Sequence, residues 1–451
     1  MEKRANFGSK LGIILASAGS AVGLGNVWRF PTEVGENGGA AFILIYILCV
    51  ILLGVPLMVS EFVIGRHTHK NTADAYQQLA PHTPWVFQGY LGVFTSWFIL
   101  CYYSVVAGWT LKYLFSAIVG KVGTIEDSAA YFTAFTSSPW LPIVCMVAVM
   151  LMCHWVIARG VQAGIEKYSK LMMPLLLLII AVLVVCSFSM PGSEEGLRFL
   201  FKPDFSKLDS SVVLSAMGQA FFSLSIAMGC LCTYASYFRD DAKLVKTAGS
   251  VAVIDTTVAI MSGFIIFPAV FSVPGVEANE GPGLVFITLP HVFNIAFHNV
   301  PLLGYLFSGL FYLLLMLSAL TSAISLHEPV TAYIHEEWHL SRHRSAWLVT
   351  MGCILLGMVC SLSMGVWNDF RIGGLCLFDL FDFVSAKIIL PLGGIIICLF
   401  VGWRLDRQLV YNEVTNNGSL RIRLFRLYIF LVRWVAPLAI SIIFINELFL
   451  S

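Results

Sequence analysis

Charge is what this sequence has least of. Asp, Glu, Lys and Arg make up 12% of its 451 residues, against about 25% in ordinary soluble domains. Its 27 basic and 26 acidic side chains nearly cancel, for a net charge of +1. That supplies none of the positive field on which nucleic-acid binding depends. The 11 cysteines form no C-x-x-C pair, and no Cys/His cluster has zinc spacing, so neither a redox dithiol nor a transition-metal site is encoded. Cys49, Cys101, Cys145, Cys186, Cys230, Cys232 and Cys398 lie in apolar runs and read as small hydrophobes inside helices. A nucleophile–base pair is also lacking, which disfavours a membrane enzyme. The N-terminal MEKRANFGSK is basic but has no small-residue cleavage site. It reads as the flank of a start-transfer span rather than a removed signal peptide.

What is abundant is hydrocarbon. Hydrophobic residues account for 58% of the chain, and the mean hydropathy is +0.84. Runs of about 20 apolar residues cross a bilayer. Eleven such spans are expected, at 11–34, 39–65, 86–119, 140–157, 165–189, 211–238, 246–273, 301–334, 346–366, 372–403 and 424–449. Residues 282–298, GPGLVFITLPHVFNIAF, are too short and carry a proline. They read as a re-entrant or surface helical hairpin. With the N-terminus inside, 19 of the 27 basic residues fall on the cytoplasmic side, the bias that sets orientation. An odd span count then places the C-terminus outside.

Two spans are interrupted. Residues 18–31, AGSAVGLGNVWRFP, put Gly19, Gly23 and Gly25, with Asn26 and Arg29, into what would be the first span. Each interior glycine costs a helix about 1 kcal/mol relative to alanine. In lipid, a broken helix persists only where its freed peptide groups are buried in protein or face a cavity. The sixth span is interrupted at 223–229, SLSIAMG. Interruptions five spans apart point to two inverted five-helix repeats with a site at their interface. Half-helix C-termini offer carbonyls to a cation, and half-helix N-termini offer N–H groups to a carboxylate. Span 8 adds Ser318, Thr321, Ser322 and Ser325 on one face, and span 7 adds Asp255. These are hard oxygen donors suited to an alkali cation. Small and hydroxyl residues also let membrane helices pack closely, so the face alone does not decide the matter.

The stretch AGSAVGLGNVWRFP followed by ENGGAAFILIY (36–46) resembles the opening of the neurotransmitter:sodium symporter family. GQAFFSLSIAMG (218–229), TYASY (233–237), LTSAIS (320–325) and an FDFV turn at 381–384 extend the resemblance over residues 4–400. It implies an all-α polytopic membrane protein of the LeuT type, a 5+5 inverted repeat with unwound helices 1 and 6. Residues 1–10 would be a cytoplasmic segment, 11–189 and 211–403 the two repeats, and 424–449 an eleventh helix. It implies two sodium ions per substrate. The first would be held by Ala21, Asn26, Ser223 and Asp255, and the second by Gly19, Val22, Ser318, Thr321 and Ser322. Leu24, Gly25 and Tyr103 would take the substrate carboxylate, with Ala21, Ile99, Phe222, Ser223, Ser225, Met228, Ser322 and Leu326 around the substrate. Arg29 and Asp382, with Gln219 between them, would gate the outside. Arg4 and Glu336, with Phe7 and Tyr237, would gate the inside, and Glu61 would brace the unwound backbone.

Departures from the family pattern refine these expectations. Gly23 stands where amine-transporting members carry an Asp, so the substrate must bring its own carboxylate. No ionised residue lines the expected pocket, and Met228 adapts to several shapes. The substrate is therefore expected to be a hydrophobic L-amino acid, aliphatic to aromatic; an imino or small amino acid is the alternative within transport. Asp255 stands where most members carry Asn, which implies chloride-independent symport with proton antiport. The expected setting is the cell membrane, with the lipid bilayer and the amino acid as partners and no obligatory protein partner. A transporter-like sensor is a rival reading.

Gly164 and Pro174 in span 5 match a family spacing that implies local unwinding, opening a water path to the second sodium. Pro174→Ala is expected to slow inward sodium release more than it alters substrate binding. Unchanged release kinetics in a sodium-efflux assay would remove that role.

Overall fold

The computed structural model describes residues 5–122, 125, 127–273, 283–298, 300–420 and 425–449. Among them the only extended pairing is an isolated bridge between Ile372 and Leu375; the rest of the ordered backbone is helical. Nine described helices are long and apolar enough to cross a membrane: Ala40–Thr68, Val86–Ile118, Leu141–Ala158, Val161–Ser187, Leu244–Val270, Pro301–Glu337, Arg342–Ser363, Leu377–Arg404 and Phe425–Asn446. Lys10–Ala21 and Gly25–Glu36 form a tenth span bent by 57°. Ser210–Ser223 and Cys230–Ala235 flank an interruption at 224–229. This set is consistent with the eleven spans expected from hydropathy, and both interruptions fall where the glycines and small polar residues placed them.

Each interruption is supported by side chains from other helices. Val22 leaves the first half-helix with an extended ψ of 106°. The Gly23 N–H donates to Asn26 Oδ1 at 2.9 Å, and the Asn26 N–H returns to the Gly23 carbonyl at 3.2 Å. In span 6, Ser225, Ala227 and Gly229 adopt left-handed φ values of 53°, 64° and 74°, costly for the first two. The buried carboxylate of Glu61 accepts the Ala227 N–H at 2.8 Å. Ser96 Oγ donates to the Met228 carbonyl, Thr72 Oγ1 to the Gly229 carbonyl at 2.9 Å, and Ser225 Oγ to the Ser20 carbonyl at 2.8 Å. Freed peptide groups of span 6 are thus met by spans 2 and 3 and by the helix Thr72–Leu79, and the Ser20 carbonyl of span 1 is met by Ser225 of span 6.

Glycines set the closest helix contacts. A methyl group at Gly65 would lie 2.0 Å from the Cys232 carbonyl oxygen, and one at Gly108 would lie 2.7 Å from the Met146 nitrogen. Spans 2 and 6, and spans 3 and 4, therefore meet backbone to backbone. Gly164 works in the same way: its missing Cβ would sit 2.1 Å from the Val156 carbonyl oxygen. Span 5 is wound throughout, as a π-turn over Val161–Glu166 running into Lys167–Ser187 with Pro174 inside it. The unwinding implied between Gly164 and Pro174 is not present in this conformation.

Three other expectations change. Residues 284–296 form one apolar helix, Leu284–Ala296, not a hairpin. Pro290 is tolerated because the Phe286 carbonyl, deprived of its donor four residues on, accepts Tyr113 Oη at 2.8 Å. The Val285 carbonyl likewise accepts Tyr312 Oη at 3.1 Å. The FDFV motif at 381–384 is helical, the junction between Leu377–Phe383 and a π-turn at Val384–Ile389. Span 10 starts at Leu377 rather than 372, because Gly373 and Gly374 (φ 60° and 84°) turn the chain back across the Ile372–Leu375 bridge.

Gly65→Ala is expected to lower stability by about 1–3 kcal/mol through overpacking. Gly249→Ala, where a methyl meets nothing within 4 Å, should leave it unchanged or raise it by up to about 1 kcal/mol. Thermal unfolding of both variants in detergent checks this.

Candidate ion and substrate site

The two interruptions face each other at the centre of the bundle, and their polar groups interlock. Asn26 Nδ2 donates to Ser223 Oγ at 3.1 Å, to Asp255 Oδ1 at 2.7 Å and to the Asp255 carbonyl at 3.2 Å. Ser223 Oγ lies 2.9 Å and 3.1 Å from the two Asp255 oxygens. Tyr46 Oη reaches Asp255 Oδ2 at 3.3 Å. Asn26, Ser223, Tyr46 and Asp255 are all buried. No Lys or Arg among the described residues pairs with Asp255, so this oxygen cluster contains a carboxylate without a protein cation. Its chemistry suits a small hard cation.

Span 8 approaches span 1 on its other side. Ser322 Oγ donates to the Val22 carbonyl at 3.2 Å. Thr321 Oγ1 lies 3.0 Å from both the Leu317 and Ser318 carbonyls. A methyl at Gly19 would lie 3.5 Å from Thr321 Cβ. Gly19, Val22, Ser318, Thr321 and Ser322, expected together from the resemblance, therefore lie at one contact between two spans. Ser318 Oγ, Ser20 Oγ and Thr256 Oγ1 are buried without hydrogen-bond partners.

Gly23 is the narrowest point. A Cβ there would lie 2.6 Å from Ser322 Oγ and 3.5 Å from Tyr103 Oη. The Tyr103 hydroxyl is itself buried with no partner. Gly25 is also near Phe222, whose Cε1 would be 3.2 Å from an added methyl. Leu24 precedes the half-helix Gly25–Glu36, so its N–H and that of Gly25 stand at that helix's positive end. Ile99, Ser225, Met228 and Leu326 are buried. None of them ionises.

At the expected outer gate, the Arg29–Asp382 pair is not formed. Arg29 Nε reaches Glu33 Oε1, one turn along its own helix, at 3.6 Å. Its guanidinium lies 4.6 Å from the Phe222 ring centroid. Gln219 Nε2 donates to the Gly25 carbonyl at 3.4 Å, and its Oε1 has no partner. An aromatic cluster packs beside Trp28 of the same half-helix. The Phe286 ring stands 5.1–6.3 Å from the rings of Trp28, Trp109, Tyr113 and Phe132. Phe286 could not be singled out from sequence because nothing distinguishes it from the other apolar residues of its helix. Lys387, an unexplained cation in span 10, lies 5.7 Å from the Phe383 ring centroid.

At the expected inner gate, Arg4 lies outside the described residues. Phe7 is buried against Tyr234, Tyr237 and Phe238, and its N–H donates to the Tyr237 carbonyl at 3.0 Å. Tyr237 Oη donates to Glu328 rather than to Glu336, at 2.7 Å. Glu328, fully buried, pairs with Arg342 at 2.5 Å. Glu336 accepts two hydrogen bonds from Asn71, at 3.0 Å and 3.2 Å. Glu328 was visible in the sequence as an acidic residue within span 8, a mark of function or pairing in membrane helices.

The chain resembles known proteins along its whole length. The model of the sodium:neurotransmitter symporter family matches residues 4–133 and 131–450. The sodium-dependent transporter YhdH of Bacillus subtilis is 37% identical, over 99% of this chain and 98% of that protein. The sodium- and chloride-dependent GABA transporter 2 of Mus musculus is 27% identical, over 92% of this chain and 75% of that protein. The crystal structure of MhsT in complex with L-phenylalanine superposes with a TM-score of 0.89 at 42% identity, covering 99% of this chain and all of that one.

Tyr103→Phe removes a buried hydroxyl that the protein leaves unpartnered. It is expected to leave the unfolding temperature unchanged or raised, since an unpaired buried polar group is a penalty. A fall of several degrees in a thermal melt would show that the hydroxyl is held within the fold.

Proposed function

Since the chain belongs to the sodium:neurotransmitter symporter family, a family of sodium-dependent membrane transporters with the LeuT-type fold, we propose that it imports hydrophobic L-amino acids, aliphatic to aromatic, in symport with sodium. Two sodium ions would accompany each substrate. The observation that carries this reading is the cradle at Gly23. A backbone where an added Cβ would lie 2.6 Å from Ser322 Oγ and in van der Waals contact with Tyr103 Oη has a half-helix N-terminus on one side and an orphaned hydroxyl on the other. A carboxylate placed there takes the Leu24 and Gly25 N–H groups and the Tyr103 hydroxyl. That suits a substrate with its own carboxylate and disfavours an amine without one. Support for the side chain comes from the absence of ionised groups among Ile99, Phe222, Met228 and Leu326, and from the L-phenylalanine bound by MhsT.

The ions follow from the same geometry. The first would sit among Ala21, Asn26, Ser223 and Asp255, completed by the substrate carboxylate, so that ion and substrate each require the other. The second would join Gly19, Val22, Ser318, Thr321 and Ser322, linking span 1 to span 8. Binding there would hold the two half-helices of span 1 in place. Asp255 has no protein cation beside it, so sodium balances its charge on the inward journey and a proton on the empty return. This makes transport chloride-independent with proton antiport, in contrast with the relative named for its chloride dependence. Arg29, Gln219 and Asp382 would close the outside over the substrate, with Phe286 above them. Arg4, Phe7, Tyr237 and Glu336 would close the inside. Residues 11–189 and 211–403 would be the two repeats, and 424–449 the added helix. The N-terminus would be cytoplasmic and the C-terminus extracellular.

The test is uptake into proteoliposomes with an imposed sodium gradient and a pH-sensitive dye inside. Labelled Trp should enter only with sodium. Leu and Phe should compete, Lys should not, and the lumen should become more alkaline as protons leave. Competition by Lys equal to that by Leu would sink the substrate assignment. Arrest of uptake when gluconate replaces chloride would sink the role given to Asp255. In the same assay Tyr103→Phe should raise the substrate KM roughly 10–100-fold, the loss expected for one hydrogen bond to a charged group.

A further inference from the structure

A carboxylate on span 5 caps span 1. The half-helix Lys10–Ala21 begins after Ser9, whose Oγ accepts the Gly12 N–H at 3.0 Å. The Ser9 hydroxyl then donates to Glu166 Oε1 at 2.9 Å, and the Gly8 N–H donates to Glu166 Oε2 at 2.6 Å. Both oxygens of Glu166 are thus engaged at the positive end of the helix carrying the Gly19 and Ala21 carbonyls, where a negative charge is favourable. Gly12 makes the room: a methyl there would lie 2.2 Å from Glu166 Oε1. Lys170, one turn on, pairs with the same oxygen at 2.5 Å.

Glu166 is the last residue of the π-turn Val161–Glu166, which starts from Gly160 at φ 88°. The winding of that turn therefore sets where the carboxylate points. From the same turn, Gln162 Nε2 donates to the Asn6 carbonyl at 2.6 Å. Between these two grips, Phe7 inserts its ring among Tyr234, Tyr237 and Phe238 of span 6. An open groove of about 580 Å³, lined by Gly8, Gln162, Glu166, Lys167 and Lys170 among others, leads to the clasp. Solvent thus reaches the clasp from the side of the span 5 turn.

We propose that Glu166 is a positioning residue coupling this turn of span 5 to the inner half of span 1. While the turn is wound, its carboxylate caps span 1 and holds residues 6–9 closed. When the turn unwinds, the cap leaves with it, the first half-helix loses its anchor, and the carbonyls at 19, 21 and 22 become free to move. The segment and the turn open together or not at all. This rests on the transport reading for its consequence, but the coupling itself concerns only the fold.

Hydrogen–deuterium exchange on the full chain in lipid nanodiscs, with and without sodium, tests it. Glu166→Gln keeps the shape and loses the charge. It should accelerate exchange about tenfold in amides 8–12 of span 1 and in amides 161–166 together, the effect of weakening a charged cap. Ser9→Ala, which removes one donor from the other side, should raise both segments by a smaller factor. Acceleration confined to 161–166 in Glu166→Gln, or to the span 1 segment in Ser9→Ala, would overturn the coupling. In transport, Glu166→Gln should change the maximal rate and leave the substrate KM within twofold; a KM rise with unchanged rate would also overturn it. Should no amino acid be transported, the transport reading fails while the exchange result still decides the coupling.

Discussion

The structure depends on one constraint. A peptide group inside a bilayer must find its partner within the protein, because water is absent there. A chain that breaks two of its membrane helices must therefore supply replacement partners for each. Glu61, Ser96 and Thr72 do so for the sixth span, and Asn26 and Ser225 do so for the first. These residues come from different parts of the sequence, so the breaks exist only once the surrounding helices are in place. The breaks and the helices that hold them form one cooperative unit. This explains why buried polar residues concentrate around them.

The functional reading follows from what the constraint leaves over. Most freed peptide groups are matched, but the side-chain atoms Tyr103 Oη, Ser318 Oγ, Ser20 Oγ and Gln219 Oε1 are not, and no Lys or Arg among the described residues pairs with Asp255. Unpaired polar atoms at the centre of a fold cost stability, and proteins retain them where a ligand uses them. Their placement around Gly23 and between spans 1, 6, 7 and 8 would join the proposed carboxylate cradle to the proposed cation site through shared backbone. A substrate carboxylate and a cation would each complete the other's coordination. Obligatory coupling needs that mutual dependence.

Legibility in the sequence divided along physical lines. Features arising from local composition could be read directly: the apolar runs, the glycine-rich breaks, the hydroxyl face of span 8 and the lone Asp255 all stand out against hydrocarbon. Features arising from rotamer choice or packing could not. Arg29 has two carboxylates as candidate partners, and in this conformation it turns to Glu33, one helical turn away, rather than to Asp382. Phe286 is one of 34 phenylalanines until four aromatic rings gather around it. Glu166 carries no signal distinguishing it from a solvated cytoplasmic acid, yet it caps a helix that begins more than 150 residues earlier.

The sequence by itself determined that this is a multi-span membrane protein, where its helices break, and which hard donors are available, since each follows from hydropathy and from the intrinsic cost of glycine and buried charge. Which donors meet, what crowds Gly23 and what holds the N-terminal end of span 1 emerge from the packing of the helices. Those answers depend on distances between helices remote in the chain, which no local property of the residues encodes.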